Sequence, residues 1–213
     1  MSKTYSSADH AYRAVKERIL TGALPGGELI SEGEVASDLG MSRTPVREAF
    51  LRLETEGWMK LYPKRGALVV PIPVAEAEHV AHARYVVEVA AVRAVAVRER
   101  SALTSALRDS LDRQRAHAEA GDRDAFALED TDFHRTYVVA ADNPLLAAFY
   151  DSLRERQRRM NSLALHRGAT DMAAIIAQHT ALADLIEAGD VDAFATALVA
   201  HLSAVHQLSL RGL

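Results

Sequence analysis

Four residues that can bind metal ions fall on faces otherwise made of apolar side chains. Over 122–140 the apolar stripe runs through Phe126, Phe133, Tyr137 and Ala141, and Asp130 and His134 lie on it. Over 169–188 the inward face is marked by Met172, Ile175, Ile176, Leu182 and Ile186 and includes His179; over 190–209 it is marked by Val191, Phe194, Leu198, Leu202 and Val205 and includes His201. A lone histidine on such a face is more often a hydrogen-bonded core residue, so the argument rests on the four together. A carboxylate or an imidazole in apolar surroundings is costly without a partner. One divalent cation satisfies all four, with Asp130 and His134 projecting from adjacent turns of one helix and two further helices supplying His179 and His201. Three imidazoles and one carboxylate suit Zn²⁺ first, with Ni²⁺, Mn²⁺ or Fe²⁺ as alternatives, and leave positions open for water or for the oxygens of an acid.

A second group has the chemistry of nucleic-acid recognition. Between Glu34 and Trp58, Val35, Ala36 and Leu39 face inward on a first short helix, Gly40 makes a tight turn, and Val46, Ala49, Phe50 and Leu53 line the inner face of a second. Arg43, Thr44 and Arg47 are left at the exposed N-terminal end of that second helix. There a helix-turn-helix presents side chains to base edges in the major groove, and arginine pairs bidentately with guanine. Farther on, Lys64, Arg65 and Gly66 stand at the tip between two strand-like runs, 59–61 and 67–70. The net charge of −4 is unevenly spread: 43–65 holds six basic residues against three acidic ones. A local positive patch, rather than global charge, is what phosphate contact needs.

The elements that position these residues are legible from punctuation. A helix over 8–21 stops at Gly22 and the Leu24-Pro25-Gly26-Gly27 turn. Ser31 with Glu34 forms a capping box for a second helix ending at Gly40, and Ser42 caps a third that runs to about Gly57 with Pro45 in its first turn. Pro71-Ile72-Pro73 suits an extended connector. Beyond it, Ala-rich segments predict six helices over 74–99, 102–119, 122–140, 144–165, 169–188 and 190–209, broken at Ser101, Gly121, Asn143-Pro144, Gly168 and Gly189-Asp190. The expected fold is mostly α, with a winged helix-turn-helix over 1–71 and an all-helical bundle over 72–213.

A chain of 213 residues accommodates two domains, and 49% apolar residues are enough for real cores. The absence of cysteine excludes disulfides and thiolate chemistry. No stretch approaches the roughly eighteen uninterrupted apolar residues of a membrane span, and Met1-Ser2-Lys3 leads into polar residues, so the expected location is the cytoplasm, away from membranes.

The run Ser42-Arg43-Thr44-Pro45-Val46-Arg47-Glu48-Ala49 resembles the GntR family of winged helix-turn-helix regulators, whose wing carries a basic residue and a glycine like Arg65 and Gly66. Gly33, between Glu32 and Glu34, departs from the arginine of many relatives. Asp130-Thr-Asp-Phe-His134, Gln178-His179 and Ala200-His201-Leu202 are similar to the FCD effector domain of the FadR-like branch, and Asn143-Pro144 matches it too, with Asp142 in place of the usual glycine. The resemblance implies a transcriptional regulator, by family inclination a repressor. It also implies a homodimer on double-stranded operator DNA that responds to a small organic acid held near the metal. Arg84, in the matching segment Arg84-Tyr-Val-Val-Glu88, either binds an effector carboxylate or pairs with Glu88 four residues on. The competing class, a metal-dependent hydrolase or oxygenase using the three histidines and Asp130, leaves the DNA motif without a use.

Overall fold

The computed structural model describes residues 6–95 and 97–210, the side chain of Arg98 excepted. Met1 to Lys3, residue 96 of the helix expected over 74–99, and the extreme ends of both expected domains lie outside the described residues. The chain divides into two compact units, the first ending at Ile72 and the second beginning at Pro73.

In the first unit, helix α1 (Ser7–Leu20) starts at a capping box in which Asp9 N–H donates to Ser6 Oγ at 3.1 Å and Ser6 N–H to Asp9 Oδ2 at 3.2 Å. After strand β1 (Leu29–Ile30), helix α2 (Glu32–Asp38) starts at the expected Ser31–Glu34 box. Helix α3 (Arg43–Thr55) follows a turn through Gly40, whose φ of +62° favours glycine. Ser42 occupies the N-cap position, but its side chain makes no capping bond. Ala11, Val15 and Ile19 of α1 close over Val35, Ala36, Val46, Ala49, Phe50 and Leu53 in one buried core. Strands β2 (Met59–Tyr62) and β3 (Gly66–Val69) form the wing.

The wing is three-stranded rather than the two-stranded pair expected: the order is β1-β3-β2, all antiparallel, with Leu29 opposite Leu68 and Ile30 opposite Ala67. A two-residue strand is too short to show alternation, and its pairing is long-range. At the wing tip Arg65 N–H donates to the Tyr62 carbonyl at 3.0 Å, closing a turn with Pro63 second and Lys64, at φ +63°, third. That position ordinarily calls for glycine. Gly66 has φ +110°, and a Cβ there would lie 2.3 Å from the Ile30 carbonyl oxygen, so the strand crossing itself requires glycine.

The second unit is all helical among its described residues: α4 (Val74–Ala94), a 3-10 turn (Val97–Glu99), α5 (Arg100–Ala120), α6 (Arg123–Val139), α7 (Pro144–His166), α8 (Met172–Ala188) and α9 (Val191–His206). The expected helix over 74–99 stops five residues early. Val95 turns to φ −61°, ψ 119° and buries its side chain in the bundle core with Val92, Leu103 and Leu107. No glycine or proline announces this break; burial of a β-branched side chain outweighs the helical continuation. Ser101, expected as a break, instead lies in the first turn of α5, whose N-cap position is Glu99 with no side-chain capping bond. The later breaks follow the punctuation, with Asp122, Asn143, Asp171 and Asp190 accepting from first-turn amides and Gly121 and Gly189 left-handed at helix ends.

Two wing substitutions should move stability in opposite directions in urea unfolding. Gly66→Ala is expected to lose about 2 kcal/mol or more, and Lys64→Gly to gain about 0.5 to 1 kcal/mol by relieving its left-handed backbone.

Candidate functional site

The four ligand-type residues meet inside the second unit. Asp130 and His134 come from α6, His179 from α8 and His201 from α9; all are buried, and one ligand atom from each lies within 4.8 Å of all the others. Phe133 stacks on His179 at a centroid distance of 4.3 Å and holds that ring in place. His134 Nε2 and His201 Nε2 are 3.2 Å apart, and His179 Nε2 lies 3.4 Å from Asp130 Oδ1 with no hydrogen-bond partner.

The opposite edges of the rings explain this convergence. His134 Nδ1 is 2.9 Å from Glu88 Oε2, His179 Nδ1 2.8 Å from Gln114 Oε1, and His201 Nδ1 2.8 Å from Gln178 Oε1. Each of these oxygens accepts, so each Nδ1 carries the proton and each Nε2 presents a lone pair. Three lone pairs and a carboxylate facing one point repel one another unless a cation sits between them. The donor set therefore fits a divalent metal, and the partners on Nδ1 are the kind that fix tautomer and orientation in metal sites. Burial first, then the neighbouring His134 ring and the Arg84 guanidinium, keeps the His179 imidazole well below its ordinary titration range. His201 is shifted the same way, by burial first and then by the other two imidazoles. Both rings are neutral, as ligands must be.

Beside the cluster, α4 supplies a buried ion pair, Arg84 Nε to Glu88 Oε1 at 2.8 Å. Burial pushes the Glu88 carboxyl up, but Arg84 and then His134 outweigh it and hold it well below the usual carboxylate range. Tyr150 OH donates to Glu88 Oε1 at 2.7 Å, and Tyr137 OH donates to Oε2. Arg84 Nη2 makes no hydrogen bond, and on α7 neither polar atom of the Gln157 side chain does either, although both groups are buried. Asn161, one turn beyond Gln157, donates to Asp130. Of the two roles expected for Arg84, the Glu88 pair is formed, and a donor is left over. Sequence reasoning missed Glu88 as the partner of His134, and it missed Gln114, Tyr150, Gln157 and Asn161. Only Glu88, four residues from Arg84 on one helix face, carried a signal; the others are polar residues whose burial no periodicity reveals.

In the first unit Arg43, Thr44 and Arg47 are exposed at the start of α3, and Lys64 and Arg65 are exposed at the wing tip. Arg43, Arg47, Lys64, Arg65 and Gly66 line one cleft of about 700 Å³ between α3 and the wing. Thr44 does not line it. Arg47 is not the unengaged side chain its surface position suggested: Nε and Nη2 donate to Glu32 Oε1 and Oε2, both at 2.9 Å.

Comparison with known proteins bears on both units. The family described as bacterial regulatory proteins, gntR family, matches residues 7–69, and the FCD domain matches 79–204. The chain is 30% identical over 194 residues to an uncharacterized HTH-type transcriptional regulator in an unstable DNA locus of Streptomyces ambofaciens, covering 91% of this chain and 81% of that one. It is 27% identical to the HTH-type transcriptional repressor RspR of Escherichia coli K12, covering 92% and 86%. A solved structure of a GntR transcriptional regulator from Rhodococcus sp. RHA1 shares the fold with a TM-score of 0.75 at 20% identity, covering 95% of this chain and 97% of the other.

Two measurements test the site. Glu88→Gln weakens the acceptor on His134 and should lower metal affinity about tenfold to a hundredfold, read by competition with a chelating dye. Stability should also fall as pH drops below 6.5, the ordinary value for histidine, because the unfolded chain then binds protons that His179 and His201 refuse in the folded state. His206, pushed down to about 3 by burial, adds to this slope, while the raised Asp130 carboxyl offsets part of it. A melting midpoint of the metal-free protein that stays flat from about pH 7.5 to 5 would contradict the assignment.

Proposed function

The chain belongs to the GntR family of bacterial regulatory proteins and carries an FCD domain, and from that premise we propose that it is a cytoplasmic repressor released from, or locked onto, its operator by a small organic acid. It is a transcriptional regulator and not an enzyme. Residues 1–71 serve as the DNA-binding domain and 72–213 as the domain that binds effector and dimerises. Arg43, Thr44 and Arg47 read base edges, while Lys64, Arg65 and the backbone at Gly66 follow the phosphates. The protein binds as a homodimer, which suits a two-fold symmetric operator with half-sites about one helical turn apart. Among the described residues no helix is long and apolar enough to cross a membrane.

The observation that carries the effector reading is the convergence of three histidine Nε2 atoms and Asp130, with His179 Nε2 unpartnered. Asp130, His134, His179 and His201 would hold the metal, with Zn²⁺ favoured by the three imidazoles. A bound divalent ion would supply a positive centre and open positions for a carboxylate. Arg84 would add its spare Nη2 donor, and Gln157 its unpaired amide, to orient the rest of the acid. The acid can move the DNA-reading units only if it binds one dimer arrangement more tightly than the other.

Elemental analysis combined with operator binding titrated against a panel of small organic acids tests the whole reading. His134→Ala and His179→Ala should lose metal and effector response while keeping operator binding. Retention of metal after both replacements would refute the site, and a normal effector response in metal-free protein would refute the mechanism. Arg43→Ala should weaken operator binding by about 1 to 3 kcal/mol with metal content unchanged, whereas Arg65→Ala should cause a smaller loss and a shallower salt dependence.

A further inference from the structure

Glu32 and Gly33 begin α2, and both touch the arginines of α3. Arg47 and Glu32 meet fork to fork, with 2.9 Å between Nε and Oε1 and between Nη2 and Oε2. The Arg47 side chain is 65% exposed and that of Glu32 26%. A pair this open contributes little to stability. Its consequence is geometric: a guanidinium has five N–H donors in one plane, and gripping the Nε–Nη2 edge directs the Nη1 edge away from the carboxylate. A long side chain that otherwise samples many rotamers is held in one orientation before any partner arrives, which lowers the ordering cost of binding. The Arg47 hydrogen bond, and after it the charges of Arg47 and Arg43, hold the Glu32 carboxyl below its ordinary range, so it stays charged near neutrality.

Gly33 accounts for the neighbouring arginine. A Cβ at this position would lie 3.3 Å from Arg43 Nη2 and 3.5 Å from its Cζ and Nε, so the Arg43 guanidinium rests against the bare backbone of Gly33. Glu32, Gly33, Arg43 and Arg47 all line the cleft that the wing closes with Lys64 and Arg65. The Glu32 carboxylate, set among these cations, also repels phosphate, which penalises any DNA that does not offer the Arg47 edge a matching acceptor.

We propose that Glu32 is a positioning residue for DNA reading, setting the exposed edge of Arg47, and that Gly33 leaves the adjacent space to Arg43, so the pair sets operator specificity without itself contacting bases. This rests on the reading of α3 as the DNA-reading helix.

The test uses full-length, metal-loaded protein and two probes, a duplex selected from a random library by the wild-type protein and a scrambled duplex of the same composition. Affinities are measured by fluorescence anisotropy at several salt concentrations, with thermal melting confirming that every variant is folded at the assay temperature. Glu32→Gln should lower the ratio of selected to scrambled affinity by about fivefold or more, and it should have no such effect when Arg47 is already alanine. Gly33→Leu should displace Arg43 and change base preference when selection is repeated. An unchanged ratio in Glu32→Gln, or an equal loss with and without Arg47, overturns the positioning role, because a purely structural pair would weaken both probes alike. An unchanged base preference in Gly33→Leu overturns the part assigned to Gly33. If Arg43→Ala and Arg47→Ala both leave binding to the selected duplex intact, the reading of α3 itself fails, an outcome distinct from loss at Arg47 without coupling to Glu32.

Discussion

A fully buried, charged carboxylate at Glu88 is the constraint around which the helical unit is organised. Leaving such a charge uncompensated would cost several kcal/mol, comparable with the whole stability of a domain. Arg84 on α4 supplies the countercharge, His134 and Tyr137 on α6 donate to one carboxylate oxygen, and Tyr150 on α7 donates to the other. Three helices are thereby tied at one point. The same bonds decide the chemistry beyond it: His134 must spend its Nδ1 proton on Glu88, so its Nε2 faces His201 and the rest of the cluster as a lone pair. Gln114 and Gln178 impose the same choice on His179 and His201. The electrostatic demand created at Glu88 thus ends at a cluster of acceptor atoms that a cation would complete.

The DNA-reading unit is built on the opposite principle. Its core is built of apolar side chains from Ala11 to Val69, with the buried Lys16 paired to Glu56, and Arg43, Arg47, Lys64 and Arg65 stand on the surface. Their precision comes from backbone and neighbours: a left-handed Lys64 that projects the wing tip, a glycine at position 66 where strands cross too closely for any side chain, and a carboxylate gripping Arg47. Ligand chemistry is protected by burial in one unit, whereas the other must remain open to a large partner.

Much of this was legible in the residues. Ser42 to Ala49 announces a helix with exposed arginines at its start, and three apolar stripes interrupted by Asp130, His134, His179 and His201 announce a polar cluster inside a bundle. The short strand Leu29–Ile30 was not legible, since two residues show no period, and neither was the break at Val95, which carries no turn residue. Gln114 and Gln157 resemble any surface glutamine, yet both are buried.

Taken alone, the sequence determined which helical face each residue occupies and which backbone groups start and stop the helices, because periodicity and capping are local and act within a few residues. The tertiary structure decided which residue on a face meets which across the bundle. Glu88 takes His134, 46 residues away, and Gln114 takes His179, 65 residues away, while Glu32 reaches Arg47 across the helix-turn-helix. Those pairings depend on how the helices pack and rotate against one another, a balance of burial and hydrogen bonding summed over the whole unit that no local pattern encodes.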